Sequence, residues 1–186
     1  MIFKKEKPVV PAVNTIFENA LAVLGKEAQG YTIRPARTED LDSVIRINRE
    51  ALPENYPRAF FEDLFNSYGK SFFVAEAPGG EVVGYVMCRV EYKPGFFKTL
   101  LVKSGHIVSI AVLKEHRGRG LGLGLMAHAL KSLYENYGCS ETYLEVRVSN
   151  TPAINLYEKL GYVKIRVEKQ YYLDGEDAYI MARPLP

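Results

Sequence analysis

His106-Ile107-Val108-Ser109-Ile110-Ala111-Val112-Leu113, then Lys114-Glu115-His116, then Arg117-Gly118-Arg119-Gly120-Leu121-Gly122-Leu123-Gly124: this run decides the fold. Its first part is the most apolar strand signal in the chain and predicts a central strand buried on both faces. The second part predicts a tight turn into a helix. Glycines let a backbone approach an anion closely, and the N–H groups of a first helical turn face that anion. Arg117 and Arg119 add positive charge, so the turn reads as a phosphate cradle. It is not the dinucleotide fingerprint, because its glycines fall at every second position. Nor is it a P-loop, because no Lys-Ser/Thr follows the last glycine.

Outward from this run the punctuation is regular. Toward the N-terminus, residues 31–35 read as a short strand. Thr38 reads as an N-cap followed by the first-turn acids Glu39 and Asp40, with Leu41, Val44, Ile45 and Ile47 as the apolar face of a helix. Leu52-Pro53-Glu54-Asn55-Tyr56-Pro57 breaks that helix, and Phe60, Phe61, Leu64 and Phe65 stripe a second one. Residues 71–77 and 81–91 are strands around Pro78-Gly79-Gly80, a turn signal. A loop is expected from Lys93 to Lys103. Toward the C-terminus, a helix runs to Tyr137 and a strand spans 142–148. A helix begins at Asn150 and closes at Gly161, and strands at 162–173 and 178–183 turn at Asp174-Gly175. The order βααβββαβαββ implies an α/β sandwich around one mixed sheet. Residues 1–30 look like an extension: Pro8 and Pro11 precede Val13, Ile16, Phe17, Ala20, Leu21 and Leu24, which share one helix face, with Gly25 and Gly30 weakening or ending the helix. The main domain is then 31–186.

Composition narrows the class. The chain has 186 residues, 47% hydrophobic and 25% charged, with a formal net charge of +2. That is an ordinary globular balance and too weak a charge to argue for nucleic acid or an anionic membrane. No apolar run approaches the ~18 residues needed to span a bilayer. Met1-Ile2-Phe3-Lys4-Lys5-Glu6 lacks a signal-peptide core, so a cytoplasmic address is expected. Cys88 and Cys139 form no CxxC or zinc-ligand pattern and read as buried, reduced thiols.

Asn150-Thr151-Pro152-Ala153-Ile154-Asn155-Leu156-Tyr157-Glu158-Lys159-Leu160-Gly161-Tyr162 is a second informative string. Together with Arg117-Gly118-Arg119-Gly120-Leu121-Gly122, it resembles the two sequence blocks of the GNAT acetyltransferases, (Gln/Arg)-x-x-Gly-x-(Gly/Ala) and N-x-x-A-x-x-L-Y-x-K-x-G-F/Y. The resemblance covers about residues 31–186 and implies the GNAT fold, a mixed, mostly antiparallel sheet with helices on both faces. It implies acetyl-CoA as co-substrate, with the pyrophosphate on Arg117, Gly118, Arg119, Gly120, Leu121, Gly122 and Leu123. A bulged strand would hold the pantetheine and acetyl carbonyl through the backbone of Ile110, Ala111 and Val112. Asn150, Tyr157 and Lys159 would lie beside CoA. Four further strings resemble N-terminal acetyltransferase catalytic subunits: Leu52-Pro53-Glu54-Asn55-Tyr56-Pro57, Gly105-His106-Ile107-Val108-Ser109, Tyr143-Leu144-Glu145-Val146-Arg147-Val148-Ser149-Asn150 and Tyr171-Tyr172-Leu173-Asp174-Gly175-Glu176-Asp177-Ala178. The implied acceptors are protein N-termini or nascent peptides, and an auxiliary subunit is a common partner among similar proteins. The stretch before Tyr31 departs from the short family core.

The chemistry is legible without the family. An amine attacks a thioester only when neutral. At pH 7 neutralising an α-amine costs about 1 kcal/mol and a lysine about 4.6, from their ordinary pKa values. An α-amine therefore needs only a modest base. The candidates are His106, Glu145 on the strand that the resemblance to the GNAT sheet makes its neighbour, sharing a water with it, and Glu54 from the loop opposite. Tyr157 is placed to protonate the departing thiolate. Glu145 also fits a solvated alternation with Tyr143 and Arg147, and the division of labour among Glu54, His106 and Glu145 stays open. One His and one Glu are too few ligands for a catalytic metal, and none is expected. Cys139, after Gly138 at a helix end, is a poor nucleophile. Tyr56 and Tyr172 would line a peptide slot. Tyr171 and Tyr172 are adjacent on the expected strand, so only one of them should face it.

Three rivals stand beside this reading. An acetyltransferase for lysine or small amines would want an acidic funnel, and the loop offers Glu54 but no acid cluster. A non-catalytic acyl-CoA-binding module would keep the cradle without His106, Glu145 and Tyr157. A nucleic-acid binder using Lys114, Arg117 and Arg119 would show steep salt dependence.

Overall fold

The computed structural model describes residues 9–186. The expected start of the extension, with Pro8 and the residues read against a signal peptide, lies outside them. The elements run α1 (Val13–Glu27), β1 (Thr32–Pro35), α2 (Leu41–Ala51), α3 (Arg58–Tyr68), β2 (Phe73–Glu76), β3 (Val82–Pro94), β4 (Leu101–Val112), α4 (Leu121–Glu135), β5 (Glu141–Arg147), α5 (Thr151–Lys159), β6 (Val163–Glu168) and β7 (Ala178–Pro184). One seven-stranded sheet has the order β1-β2-β3-β4-β5-β7-β6. The apolar strand β4 is its centre, antiparallel to β3 and parallel to β5.

Side-chain alternation shows that helices cover both faces. Val90 of β3 pairs with Gly105 of β4, and a Cβ on Gly105 would meet Leu133 of α4. The other face carries Tyr85, Met87 and Arg89, two residues apart on a regular strand. There the Tyr85 hydroxyl accepts from Nδ2 of Asn48 in α2 at 3.1 Å and meets Ser109 Oγ at 2.7 Å. Ser109 reaches that face because of a bulge. The register steps from Met87–Ser109 to Cys88–Ile107, leaving Val108 as the extra residue of β4. A bulge reverses the side-chain phase, so His106 before it and Ser109 after it share one face.

Helix α1 is built into the body of the molecule. Val13, Ile16 and Ala20 are buried, Phe17 and Leu24 are partly so, and Leu21 is exposed. The helix continues through Gly25. Burying Val13 and Ile16 contributes about 1.5–3 kcal/mol each. Gly124 lets α1 and β1 close on α4, because a Cβ there would fall 2.3 Å from Ile33 and 2.8 Å from Leu24. Arg183 of β7 ties down the chain before α1, donating to the carbonyl of Pro11 at 3.0 Å and to that of Leu160 at 2.7 Å. Among the described residues, no helix is long and apolar enough to cross a membrane.

Three local expectations are corrected. The expected 93–103 loop shortens to residues 95–100, because β3 and β4 pair out to Pro94–Leu101. Proline is tolerated there because the missing N–H falls at the end of the ladder. The strand expected over 162–173 stops at Glu168, where Asp177 captures the N–H of Gln170 and the ammonium of Lys169. Thr38 is not the cap of its helix. It opens a 3-10 turn leading into α2, and Asp40 supplies the capping bond by accepting from the N–H of Arg37 at 2.7 Å.

Candidate active site

The site exists because two parallel strands part. β4 and β5 pair only at Ser104–Glu141, Gly105–Thr142 and His106–Tyr143. Beyond that, β4 stays with β3 up to Val112–Gly84, and β5 stays with β7 up to Arg147–Ala178. The gap opens into a cavity walled by residues 107–110 of β4 and 144–147 of β5. Ala51, Leu52, Pro53, Glu54 and Tyr56 close one end, Tyr171 and Tyr172 overhang it, and Asn150 and Tyr157 of the α5 region complete it.

On the β4 side the cavity offers backbone chemistry. The Leu113 N–H donates to Val83 at 2.9 Å. Backbone groups alternate between the two sides of an antiparallel strand, so Ala111, in phase with Leu113, is turned toward β3. Ile110 and Val112 present their N–H and C=O groups to the gap, and the Val112 carbonyl accepts from Nε of Arg117 at 2.8 Å. Ala111 is therefore corrected as a backbone ligand, because its polar groups face Tyr85 on β3.

The cradle follows directly. Gly118 and Gly120 have φ of +77° and +81°, and Gly120 is the left-handed residue that opens α4. No side chain among the described residues caps that helix, so the N–H groups of Leu121, Gly122 and Leu123 are left for an anion. A Cβ on Gly120 would sit 2.7 Å from Val23 of α1. Arg117 and Arg119 are exposed at the turn, and Arg119 lies over the ring of Tyr31. This donor set fits the pyrophosphate of CoA. Asn150 caps α5, accepting from the N–H of Ala153 at 3.3 Å. Lys159 is exposed at the far end of α5 and is not among the residues that wall the cavity.

The acceptor side is built from charged and aromatic side chains. His106 Nε2 lies 2.6 Å from Glu145 Oε2, a direct hydrogen bond where a shared water was expected. The alternation of Tyr143, Glu145 and Arg147 faces this site, not bulk solvent: Tyr143 stacks on His106 with ring centroids 4.4 Å apart. Glu54 is engaged with Arg147, whose other amino group reaches Asp174 at 2.8 Å and Glu176 at 3.2 Å. The Arg147 guanidinium also covers Tyr172 at 4.1 Å. One arginine thus joins the α2–α3 loop to the β6–β7 loop across the cavity. Tyr171 and Tyr172 leave the strand, pack edge to face at 4.9 Å and both line the cavity, which corrects the expectation that only one would. Burial pushes the hydroxyls of Tyr56 and Tyr172 upward, with Glu54 and Glu145 reinforcing the shift. Tyr157 is pushed up to about 12 by burial alone, so it carries its proton at neutral pH.

Arg89, Arg147 and Tyr143 join the site although they were not among the expected site residues. A signal for Arg89 was present, since Arg89 and Glu91 interrupt one side of the otherwise apolar β3 alternation. Arg147 had no comparable mark, because its three carboxylate partners come from two separate loops.

A strand-bulge-cradle-helix unit beside a cavity open between two parted strands defines a class. The acetyltransferase (GNAT) family pattern matches residues 41–162, and the chain belongs to that family. Within it, the chain is 54% identical over 170 residues to an N-alpha-acetyltransferase of Sulfurisphaera tokodaii, covering 90% of this chain and 99% of that one. It is 39% identical over 150 residues to the N-terminal acetyltransferase A complex catalytic subunit ard1 of Schizosaccharomyces pombe, covering 80% and 82%. Among solved structures, Ard1 from Thermoplasma volcanium superimposes with a TM-score of 0.72 at 32% identity, covering 84% of this chain and 99% of that one.

Proposed function

We propose that the protein transfers the acetyl group of acetyl-CoA to the N-terminal α-amine of proteins or nascent peptides. The direct His106–Glu145 hydrogen bond at the point where β4 and β5 part carries this reading. It puts a proton acceptor where the cavity opens beside the cradle strand. The names of the Sulfurisphaera and fission-yeast relatives support the α-amine as acceptor.

Acetyl-CoA supplies an activated thioester, and the chain's residues do the rest. The first turn of α4 with Arg117 and Arg119 holds the pyrophosphate, and the N–H groups of Ile110 or Val112 polarise the acetyl oxygen. The His106–Glu145 pair takes the proton that leaves the amine nitrogen. Tyr157 gives a proton to the departing sulfur and recovers it from solvent. Tyr56, Tyr171 and Tyr172 line the path of the first peptide residues. The Glu54–Arg147 pair lies across that path and holds its two loops together. A positioned base of this kind is worth about 10²–10⁴-fold. The fission-yeast relative is named as the catalytic subunit of a complex, and an auxiliary subunit is proposed here on that support. A cytoplasmic address belongs to the same proposal.

The test is a peptide carrying both a free N-terminus and an internal lysine, incubated with acetyl-CoA and sequenced by fragmentation. Acetyl on the α-nitrogen is the expected result. Acetyl on the lysine side chain overturns the α-amine reading in favour of a lysine acetyltransferase.

A further inference from the structure

The proton-handling pair has a direction. Nδ1 of His106 receives the Nε–H of Arg89 at 3.2 Å. A guanidinium only donates, and it keeps its charge throughout the working pH range. Nδ1 must therefore present a lone pair. In a neutral imidazole the proton then sits on Nε2, and Nε2 is the atom 2.6 Å from Glu145 Oε2. His106 is thus a donor to Glu145, with neither ring nitrogen free to accept a proton from the substrate.

The surroundings hold that arrangement. Arg89 is held by an ion pair with Glu91, and the other Glu91 oxygen accepts from the Tyr143 hydroxyl at 2.8 Å. Tyr143 stacks on the His106 ring with the planes 1° apart, which fixes its orientation. Glu91 Oε1 lies 3.7 Å from Nδ1, beyond hydrogen-bond reach. The charged and titratable groups facing His106 are therefore Arg89 and Glu91 from β3 and Glu145 and Tyr143 from β5. Tyr56 and Tyr171 approach Glu145 from the cavity side.

We propose that Arg89 is a positioning residue that locks His106 as its Nε2–H tautomer, so that His106 orients Glu145 and the Glu145 carboxylate alone takes the amine proton. Two protons move: the first leaves the nitrogen as the nitrogen–carbon bond forms and goes to Glu145. The carbon–sulfur bond breaks in the same exchange, and the sulfur takes its proton from Tyr157. The inference rests on the acetyl-transfer reading for its kinetic consequence and on geometry alone for the tautomer.

Two measurements test it. Histidine-selective 15N NMR of the full chain without substrate reads the tautomer, and the His106→Gln variant assigns the signals. A pyridine-like Nδ1 and a pyrrole-like Nε2 are expected for His106 at pH 7. Arg89→Met should convert this to a mixture of the two neutral tautomers. The second measurement is the steady-state rate of His106→Gln, whose amide donates to Glu145 and accepts from Arg89 without titrating. Its kcat should fall by about tenfold, through the loosened orientation of Glu145, whereas Glu145→Gln should lose about 10²–10⁴-fold. An Nδ1–H tautomer or an imidazolium at pH 7 would overturn the proposal, as would His106→Gln falling as far as Glu145→Gln. Should the acetyl-transfer reading itself fail, no form would turn over, while the NMR result would still decide the tautomer.

Discussion

The cradle and the acceptor cluster lie on either side of one cavity and are made in opposite ways. The cradle is eight consecutive residues, and its chemistry is backbone N–H groups freed by glycine at the head of α4. The acceptor cluster draws His106, Glu145, Arg147, Glu54 and the tyrosines from four separate stretches of chain, and its chemistry is side-chain contact. A binding site for an invariant co-substrate can be local. A site that must seat a polypeptide and move a proton depends on strands and loops meeting. Changes to the first should therefore appear in acetyl-CoA affinity, and changes to the second in turnover or peptide affinity.

The largest effect that sharpens this contrast is expected at Glu145. Replacing it with Gln removes the proposed proton acceptor and should lower kcat by about 10²–10⁴-fold. Tyr157→Phe comes next, at the lower end of that range, about 10²-fold in kcat. Its loss in acetyl-CoA binding should be smaller, and equal losses in both would end its role as an acid. On the cradle side, Gly120→Ala forces a Cβ into a left-handed residue, 2.7 Å from Val23. A left-handed non-glycine residue costs roughly 1–2 kcal/mol, so CoA affinity should fall by about five- to thirtyfold by calorimetry, with kcat at saturation nearly kept. Arg147→Met unties the two loops. Ion pairs of this partly exposed kind are worth about 0.2–1 kcal/mol each, which predicts a rise of about fivefold in peptide KM with acetyl-CoA KM unmoved.

The smallest effect on activity is expected in neither region. Asp40 is buried, which would raise its pKa, but hydrogen bonds from Arg34 and the Arg37 N–H outweigh burial and hold the carboxyl below its usual value. The unfolded chain then takes up this proton first. Its contribution to stability is present above the ordinary carboxylate pKa and is lost as the pH falls through the folded one. Asp40→Asn should flatten the acid limb of a denaturation-versus-pH curve and leave kcat unchanged.

The same contrast explains what the chain disclosed before its structure was known. The cradle was legible because a glycine at every second position between an apolar strand and a helix has few other uses. Asn150 and Gly161 marked the ends of α5 for a similar local reason. The His106–Glu145 contact was only partly legible, because a parallel pairing of three residues that then parts leaves no periodic trace. Val108 was silent for the same reason: nothing in a run of branched apolar residues says where the ladder will skip. The loop at 169–177 misled because Tyr171 and Tyr172 carry strand propensity, while the bonds from Asp177 and the tether of Arg147 to Asp174 and Glu176 are tertiary. Residues whose role is to meet a distant partner are read from topology, not from spacing.

The most direct test of the division of labour is calorimetric titration of CoA into Glu145→Gln and Gly120→Ala, run beside single-turnover acetyl transfer by each. Glu145→Gln should bind CoA as tightly as the parent but transfer acetyl at least about 10²-fold more slowly. Gly120→Ala should bind weakly and transfer normally once saturated. Weakened CoA binding by Glu145→Gln, or a saturated Gly120→Ala enzyme as slow as Glu145→Gln, would contradict it.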